Sequence, residues 1–157
     1  MDMIVRQAKA TDLERYVRLA KDFHEASPMH SVVDFDENGY ANFFLNAIVN
    51  PDIGIWLAEI NDEIVGIAGA LLYPLYFSPT NLVAQELWWW LTPASRGSGV
   101  GSKMFKQIEQ WSQEKGAKAL FMIALEDSKV QKMEKVYARA GFRPLERTFI
   151  KEVKSWQ

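Results

Sequence analysis

Residues 96–101, Arg96-Gly97-Ser98-Gly99-Val100-Gly101, carry the clearest chemistry in the chain. Glycines at 97, 99 and 101 let the backbone approach a ligand closely and take dihedrals closed to other residues. The segment falls where an apolar strand pattern closes at Pro93 and a helical pattern opens at Gly99. Its amides are therefore the unpaired N–H groups of a helix's first turn, at the positive end of the helix dipole. Such a turn binds anions and suits a pyrophosphate, with Arg96 adding charge. Two other phosphate loops fail on spacing. A dinucleotide fingerprint, G-x-G-x-x-G, would need glycine where Ser102 or Met104 stands, and a P-loop would need its second glycine at Ser102. A glycine-rich turn that merely joins strand to helix has the same composition.

Other chemistries are excluded by residue type. The chain contains no cysteine, so disulfides, thiolate zinc sites and a cysteine nucleophile are ruled out. His24 and His30 stand six apart, without the H-x-x-x-H or H-E-x-x-H spacing that places two ligands on one helix face, so no metal is expected.

The elements that must position the cradle follow from periodicity. A strand spans Ile4 to Ala8. Thr11-Asp12-Leu13-Glu14 reads as a capping box opening a helix with Leu13, Tyr16, Val17, Ala20, Phe23 and His24 on one face. Pro28 interrupts, and after Asp36 a second helix carries Tyr40, Phe43, Phe44, Ala47 and Ile48 on one face. Ile53–Ile60 and Glu63–Leu72 read as strands around an Asn61-Asp62 turn, with Gly66 and Gly69 marking a bulge or a close approach. Leu82–Leu91 is a third long strand. Gly99 to Lys115 is a helix striped by Val100, Met104, Ile108 and Trp111, stopped by Gly116. Ala119–Leu125 reads as an apolar strand buried on both faces. A helix over Ser128–Ala140 ends at Gly141, and Phe142–Val153, broken by Pro144, completes the order as a strand. The interleaving predicts one α/β domain over residues 1–157: a mixed, mostly antiparallel twisted sheet with helices on both faces, in the order β-α-α-β-β-β-α-β-α-β.

In that context the hexapeptide matches R-x-x-G-x-G, and Tyr137-Ala138-Arg139-Ala140-Gly141-Phe142 matches Y-x-x-x-G-F at the end of the last helix. With the strand from Glu86 to Thr92 closed by Pro93, these motifs resemble the GCN5-related N-acetyltransferases (GNAT) from Ile4 to Val153. The resemblance implies acetyl-coenzyme A as co-substrate, its pyrophosphate on the amides of Gly97, Ser98, Gly99, Val100, Gly101 and Ser102 beside Arg96. Its pantetheine arm would pair with the backbone of Trp90, Leu91 and Thr92, between strands Glu86–Leu91 and Ala119–Leu125 splayed to admit it. Tyr137 would stand near the thioester sulfur. One position departs from the family: an asparagine is usual seven residues before the tyrosine, and here that residue is Val130, with Ser128 or Asp127 as the substitute.

Transfer to an amine requires the neutral nitrogen, and a lysine-like amine with a pKa near ~10.4 is mostly cationic at neutral pH. Glu86 is the candidate base; it shares strand parity with Trp88 and Trp90, whose rings would desolvate it and raise its pKa. A carboxylate at a sheet edge facing water is the competing reading. Tyr137 is the candidate acid for the leaving thiolate, although core packing beside Val130, Met133 and Ala140 would also explain it. A backbone N–H near Leu91 would stabilise the oxyanion. With no cysteine, transfer is expected to be direct.

The acceptor side collects Phe23, Tyr40, Phe43, Phe44, Tyr73, Tyr76 and Phe77, with Glu25, Asp34, Asp36 and Glu37 able to attract a cationic amine. Phe43 and Phe44 fit a helix core equally well, and the acids fit a cap. Trp88 and Trp90 could wall the acceptor pocket, with Trp89 on the opposite sheet face. The formal charge of −2 indicates no nucleic-acid surface, and no apolar run is long enough to span a membrane. Without a visible signal segment, a cytoplasmic location is expected. The expected partner is a small-molecule or peptide amine. A non-catalytic acyl-coenzyme A binding or sensing module is the alternative. A sticky tryptophan face, as in a homodimer interface, is the third reading.

Overall fold

The structure, a computed structural model, describes residues 1–127 and 129–153. Its elements are β1 (Met3–Gln7), α1 (Leu13–Ala26), α2 (Glu37–Ala47), β2 (Ile53–Ile60), β3 (Glu63–Leu75), β4 (Ser78–Leu91), α3 (Val100–Glu114), β5 (Leu120–Phe121) and α4 (Val130–Arg139). The strands form one five-stranded sheet in the order β1-β2-β3-β4-β5, antiparallel except for the parallel β4–β5 pair. Alternation sends Ile55 and Leu57 to the face covered by α1 and α2, where they meet Tyr16, Ala20, Phe44 and Trp88. Trp56 and Ala58 go to the opposite face, where α3 lays down Val100, Met104, Ile108 and Trp111. The mixed sheet with helices on both faces is as expected.

The Asn61-Asp62 turn forms with both residues at positive φ, 51° and 66°, as a tight hairpin requires. Helix α1 starts differently from the expected capping box. Asp12, not Thr11, organises its entry: the Asp12 carboxylate accepts from the Lys9 amide at 2.8 Å and from both terminal nitrogens of Arg6 at 2.8 and 2.9 Å. The Arg6 side chain also donates to Glu59 at 2.7 Å, tying β1, β2 and the start of α1 together. A charge-paired carboxylate outcompetes a threonine hydroxyl here. Hydrogen bonding from Arg6 holds Asp12 below the usual carboxylate range and raises Arg6. Stability from this pair is therefore complete at neutral pH and is lost as pH falls through the lowered Asp12 pKa. Asp12→Ala is expected to cost about 2 kcal/mol, less than a fully buried pair because the Arg6 side chain is 29% exposed. Urea unfolding at pH 7 and again below pH ~3 checks this, since the difference from wild type should shrink in acid.

Two strand expectations are corrected. Ala119–Leu125 does not form a long strand buried on both faces: only Leu120 and Phe121, both half-buried, pair with β4, opposite Ala84 and Gln85. Beyond them the Glu86 carboxylate takes the Ile123 amide, which a continuing ladder would have used. The last expected strand is also missing: among the described residues, 142–153 contain no strand. Gly141, at φ 90°, ends α4 in a Schellman turn with Phe142 N–H on Tyr137 O (3.0 Å) and Gly141 N–H on Ala138 O (3.1 Å). Pro144 follows immediately, without a donor for a ladder.

Candidate active site

Strand β4 is made for this site by a single irregularity. Its pairing with β3 runs Gly69 to Trp88 and then Ala70 to Glu86, so Leu87 is an extra residue, a β-bulge. The bulge reverses side-chain parity. Leu87, Trp88 and Trp90 pack on the α1/α2 face, and Trp89 and Leu91 on the α3 face. Glu86, two residues beyond Ala84, belongs with the α3 face. The expectation that Glu86 shares a face with Trp88 and Trp90 is thereby corrected, while the opposition of Trp89 to its neighbours holds. Gly69 accommodates the bulge, for a Cβ there would lie 2.8 Å from Trp88 Cε2.

Glu86 is 5% exposed. Its Oε2 accepts from Ile123 N–H at 2.9 Å, and the Tyr137 hydroxyl donates to Ile123 O at 2.8 Å. The two side chains thus grip both polar groups of one residue. Burial pushes the Glu86 pKa up to about 7, against the lowering effect of the Ile123 amide. Burial, and then the neighbouring Glu86 carboxylate, push the Tyr137 phenol well above its ordinary value, so it stays protonated across the neutral range. Glu86 is therefore not an edge charge in water. Tyr137 also packs as a core residue would, 5.7 Å from the Phe142 ring that Gly141 turns back onto it. Ile123 is a backbone participant that sequence reasoning missed; a main-chain group leaves no trace in residue type.

From Glu86 to Leu91 the edge of β4 facing β5 has no strand partner among the described residues. Thr92 N–H bonds Val65 O toward β3 at 2.9 Å, so alternation turns the polar groups of Leu91 to the open edge. Arg96 reaches back there, with Nε 3.2 Å from Leu91 O and its guanidinium 4.6 Å from the Trp90 ring centroid. It thus lies against β4 and takes the Leu91 carbonyl, part of the backbone that the arm was expected to pair with.

The cradle lies at the end of this edge. Gly97 and Gly99 have φ of 83° and 94°, and a Cβ at either would meet nothing within 4 Å, so both residues border open space on their Cβ side. Thr92 and Ser95 hydroxyls pair at 2.8 Å, and Ser98 Oγ donates to Ser95 O at 2.7 Å while accepting from Val100 N–H at 3.3 Å. The Val100 amide is thus partly engaged, while Gly101 and Ser102, also in the first turn, have amides beyond the reach of intrahelical partners. Gly101 packs against β4, where a Cβ would come 3.1 Å from Leu91 Cδ1. An anion fits this turn. Ser128, named as a substitute for the missing asparagine, lies outside the described residues.

The expected acceptor residues separate. Phe23 lies 6.2 Å from Trp90 and Phe43 5.6 Å from Trp88, whereas Phe44 is core. Tyr40 stacks on Phe35 at 4.9 Å, and Tyr73 donates to Gln85 at 2.8 Å. Tyr76 and Phe77 are exposed at the β3–β4 hairpin. Asp36 caps α2 through Gly39 N–H at 2.8 Å. Among the described residues no group of acids and histidines is arranged to hold a metal. No helix is long and apolar enough to cross a membrane.

A mixed sheet opened between two parallel strands, with a glycine-rich turn at the mouth, is the arrangement that the acyltransferase resemblance implied. Residues 5–142 match the acetyltransferase (GNAT) family, and the chain belongs to it. Solved structures share the fold. A predicted acetyltransferase of Clostridium acetobutylicum, determined with acetyl-CoA, is 20% identical with a TM-score of 0.76, covering 96% of each chain. AAC(6')-Iy in complex with a CoA bisubstrate analogue is 17% identical with a TM-score of 0.77, over 99% of this chain and 100% of that one. An acetyltransferase of Trypanosoma brucei is 21% identical with a TM-score of 0.74, over 97% and 100%. No curated protein sequence matches.

Proposed function

We propose that this acetyltransferase moves an acetyl group from acetyl-coenzyme A directly to a primary amine of a small molecule or peptide. The observation that carries the reading is the convergence of Glu86 and Tyr137 on Ile123 beside the open edge of β4. When bound, acetyl-coenzyme A supplies the acetyl group as a thioester. The amides of Gly97, Gly99, Gly101 and Ser102 hold its diphosphate, and the open edge of β4 before the Leu91 carbonyl, which Arg96 takes, receives its arm. Glu86 takes the proton of the incoming ammonium at its carboxylate; a base with a pKa of about 7 is suited to that at neutral pH. Tyr137 gives its proton to the departing sulfur and is restored by the second proton that the nitrogen sheds as the amide forms. The two are coupled: once Glu86 is protonated, the like charge that opposes ionisation of Tyr137 is gone, and the phenol becomes a stronger acid. The bulge at Leu87 leaves main-chain donors free of the ladder, available to a developing oxyanion. Fold neighbours determined with acetyl-CoA or a CoA analogue support the donor assignment. An aminoglycoside N-acetyltransferase among them makes a small-molecule amine the first acceptor class to test.

The test is calorimetric titration with acetyl-coenzyme A, then an amine panel with free-thiol detection. The chain has no cysteine, so every thiol detected is released coenzyme A. Absence of acetyl-coenzyme A binding would refute the reading. Binding without thiol release on any amine would instead favour a sensing module. Tyr137→Phe is expected to lower kcat about 10- to 100-fold, with acetyl-coenzyme A affinity changed less than about threefold. Equal loss in both would make Tyr137 structural.

A further inference from the structure

Trp89 carries a buried indole N–H that has no acceptor among the described residues. A buried donor without a partner is costly and rare in a folded protein, and it points to a missing acceptor. The position of the ring says where that acceptor comes from. Trp89 projects to the α3 face, 6.0 Å from the Phe105 ring and 6.3 Å from the Tyr137 ring. Its Cζ2 would lie 3.6 Å from a Cβ at Gly101. Cζ2 and Nε1 are bonded to the same ring carbon, so the N–H edge of the indole lies on the flank toward the first turn of α3. Trp89 therefore lies between the first turn of α3 and the Tyr137 ring. Trp88 and Trp90 also have unpartnered indole donors, but they pack on the opposite face of the sheet.

We infer that Trp89 Nε1 donates a hydrogen bond to an amide carbonyl of the pantetheine arm, making Trp89 a donor-recognition residue. This rests on the acyl-coenzyme A reading above. The arm is the part of that molecule that must span cradle and tyrosine, and its two amides are its natural acceptors. The contact does not depend on the acetyl group, so it serves the free thiol product as well as the thioester.

Protein labelled with 15N at the indole positions, titrated with S-acetylpantetheine, tests this without turnover. One indole resonance, absent from Trp89→Phe, is expected to shift strongly. Those of Trp56 and Trp111, paired edge-to-face at 5.7 Å in the core beneath α3, should stay in place. If Trp89→Phe folds poorly, through-space contacts from the indole N–H to the Phe105 and Tyr137 rings assign the signal in the wild type. Adenosine 3',5'-bisphosphate, which has no arm, should leave the Trp89 signal unmoved. Trp89→Phe is expected to weaken S-acetylpantetheine about 5- to 10-fold and the nucleotide hardly at all, as one neutral hydrogen bond allows. An unmoved Trp89 resonance on saturation with S-acetylpantetheine overturns the inference, as does an equal response to the nucleotide. If acetyl-coenzyme A itself does not bind, the acyl-coenzyme A reading fails with it; if it binds with Trp89 unmoved, only this contact fails.

Discussion

Glu86→Gln is expected to make the protein more stable at alkaline pH and nearly inactive. The folded chain holds the Glu86 proton up to about pH 7, against an ordinary value of 4.5, because ionisation would place a charge in a buried site. A raised folded pKa gives stability that is complete at and below the ordinary value. It is lost as pH rises through the interval from 4.5 to about 7. By pH 8 the wild type should carry a penalty of roughly 3 kcal/mol from this group alone. The glutamine amide retains an oxygen for the Ile123 N–H and cannot ionise, so denaturant unfolding of the variant should lack this fall between pH 5 and 8. Activity should move the other way. Wild-type kcat/KM is expected to rise with pH through about 7 as the carboxylate forms. The variant should lose about 100-fold or more together with that rise. Stabilisation with an unchanged pH–rate profile would make Glu86 a buried structural acid and remove it as the base.

Gly99→Ala is expected to weaken acetyl-coenzyme A binding about 10- to 100-fold. Two effects combine: φ of 94° is a conformation L-residues resist, and the added methyl points into the open space of the cradle. Gly116→Ala is the matched control, since Gly116 ends the same helix at φ 75°, also with nothing near its Cβ position. Both variants should lose about 1 kcal/mol of stability, but only Gly99→Ala should raise the Kd. Saturating donor should restore most of its kcat, because the cradle binds and does not react. Equal affinities in the two variants would reduce the loop to a connector.

Local chemistry explains what was legible beforehand. Glycines after a strand mark a tight turn, and Gly141 before Phe142 marks a helix stop, because residues without a Cβ take positive φ easily, as Gly97, Gly99 and Gly141 do. The face of α3 bearing Val100, Met104, Ile108 and Trp111 follows from a 3.6-residue period and is buried as expected. The entry to α1 differs from its local pattern, since Asp12 is claimed by Arg6 from a neighbouring strand, and no local pattern shows that.

Residue types and their spacing by themselves determined the α/β class, the glycine-rich turn between a strand and a helix, and the exclusion of cysteine chemistry. These depend on side-chain chemistry and on periods of two and 3.6, which need no long-range information. Only the tertiary structure decided which face Glu86 occupies, because a single extra residue at Leu87 reverses parity, and nothing local to Glu86-Leu87-Trp88 announces it. It likewise decided that β5 stops after Phe121, where a side chain from β4 takes the amide a ladder would have used. That long-range hydrogen bond, between residues 37 apart, holds the Glu86 carboxylate against Ile123 in the candidate site.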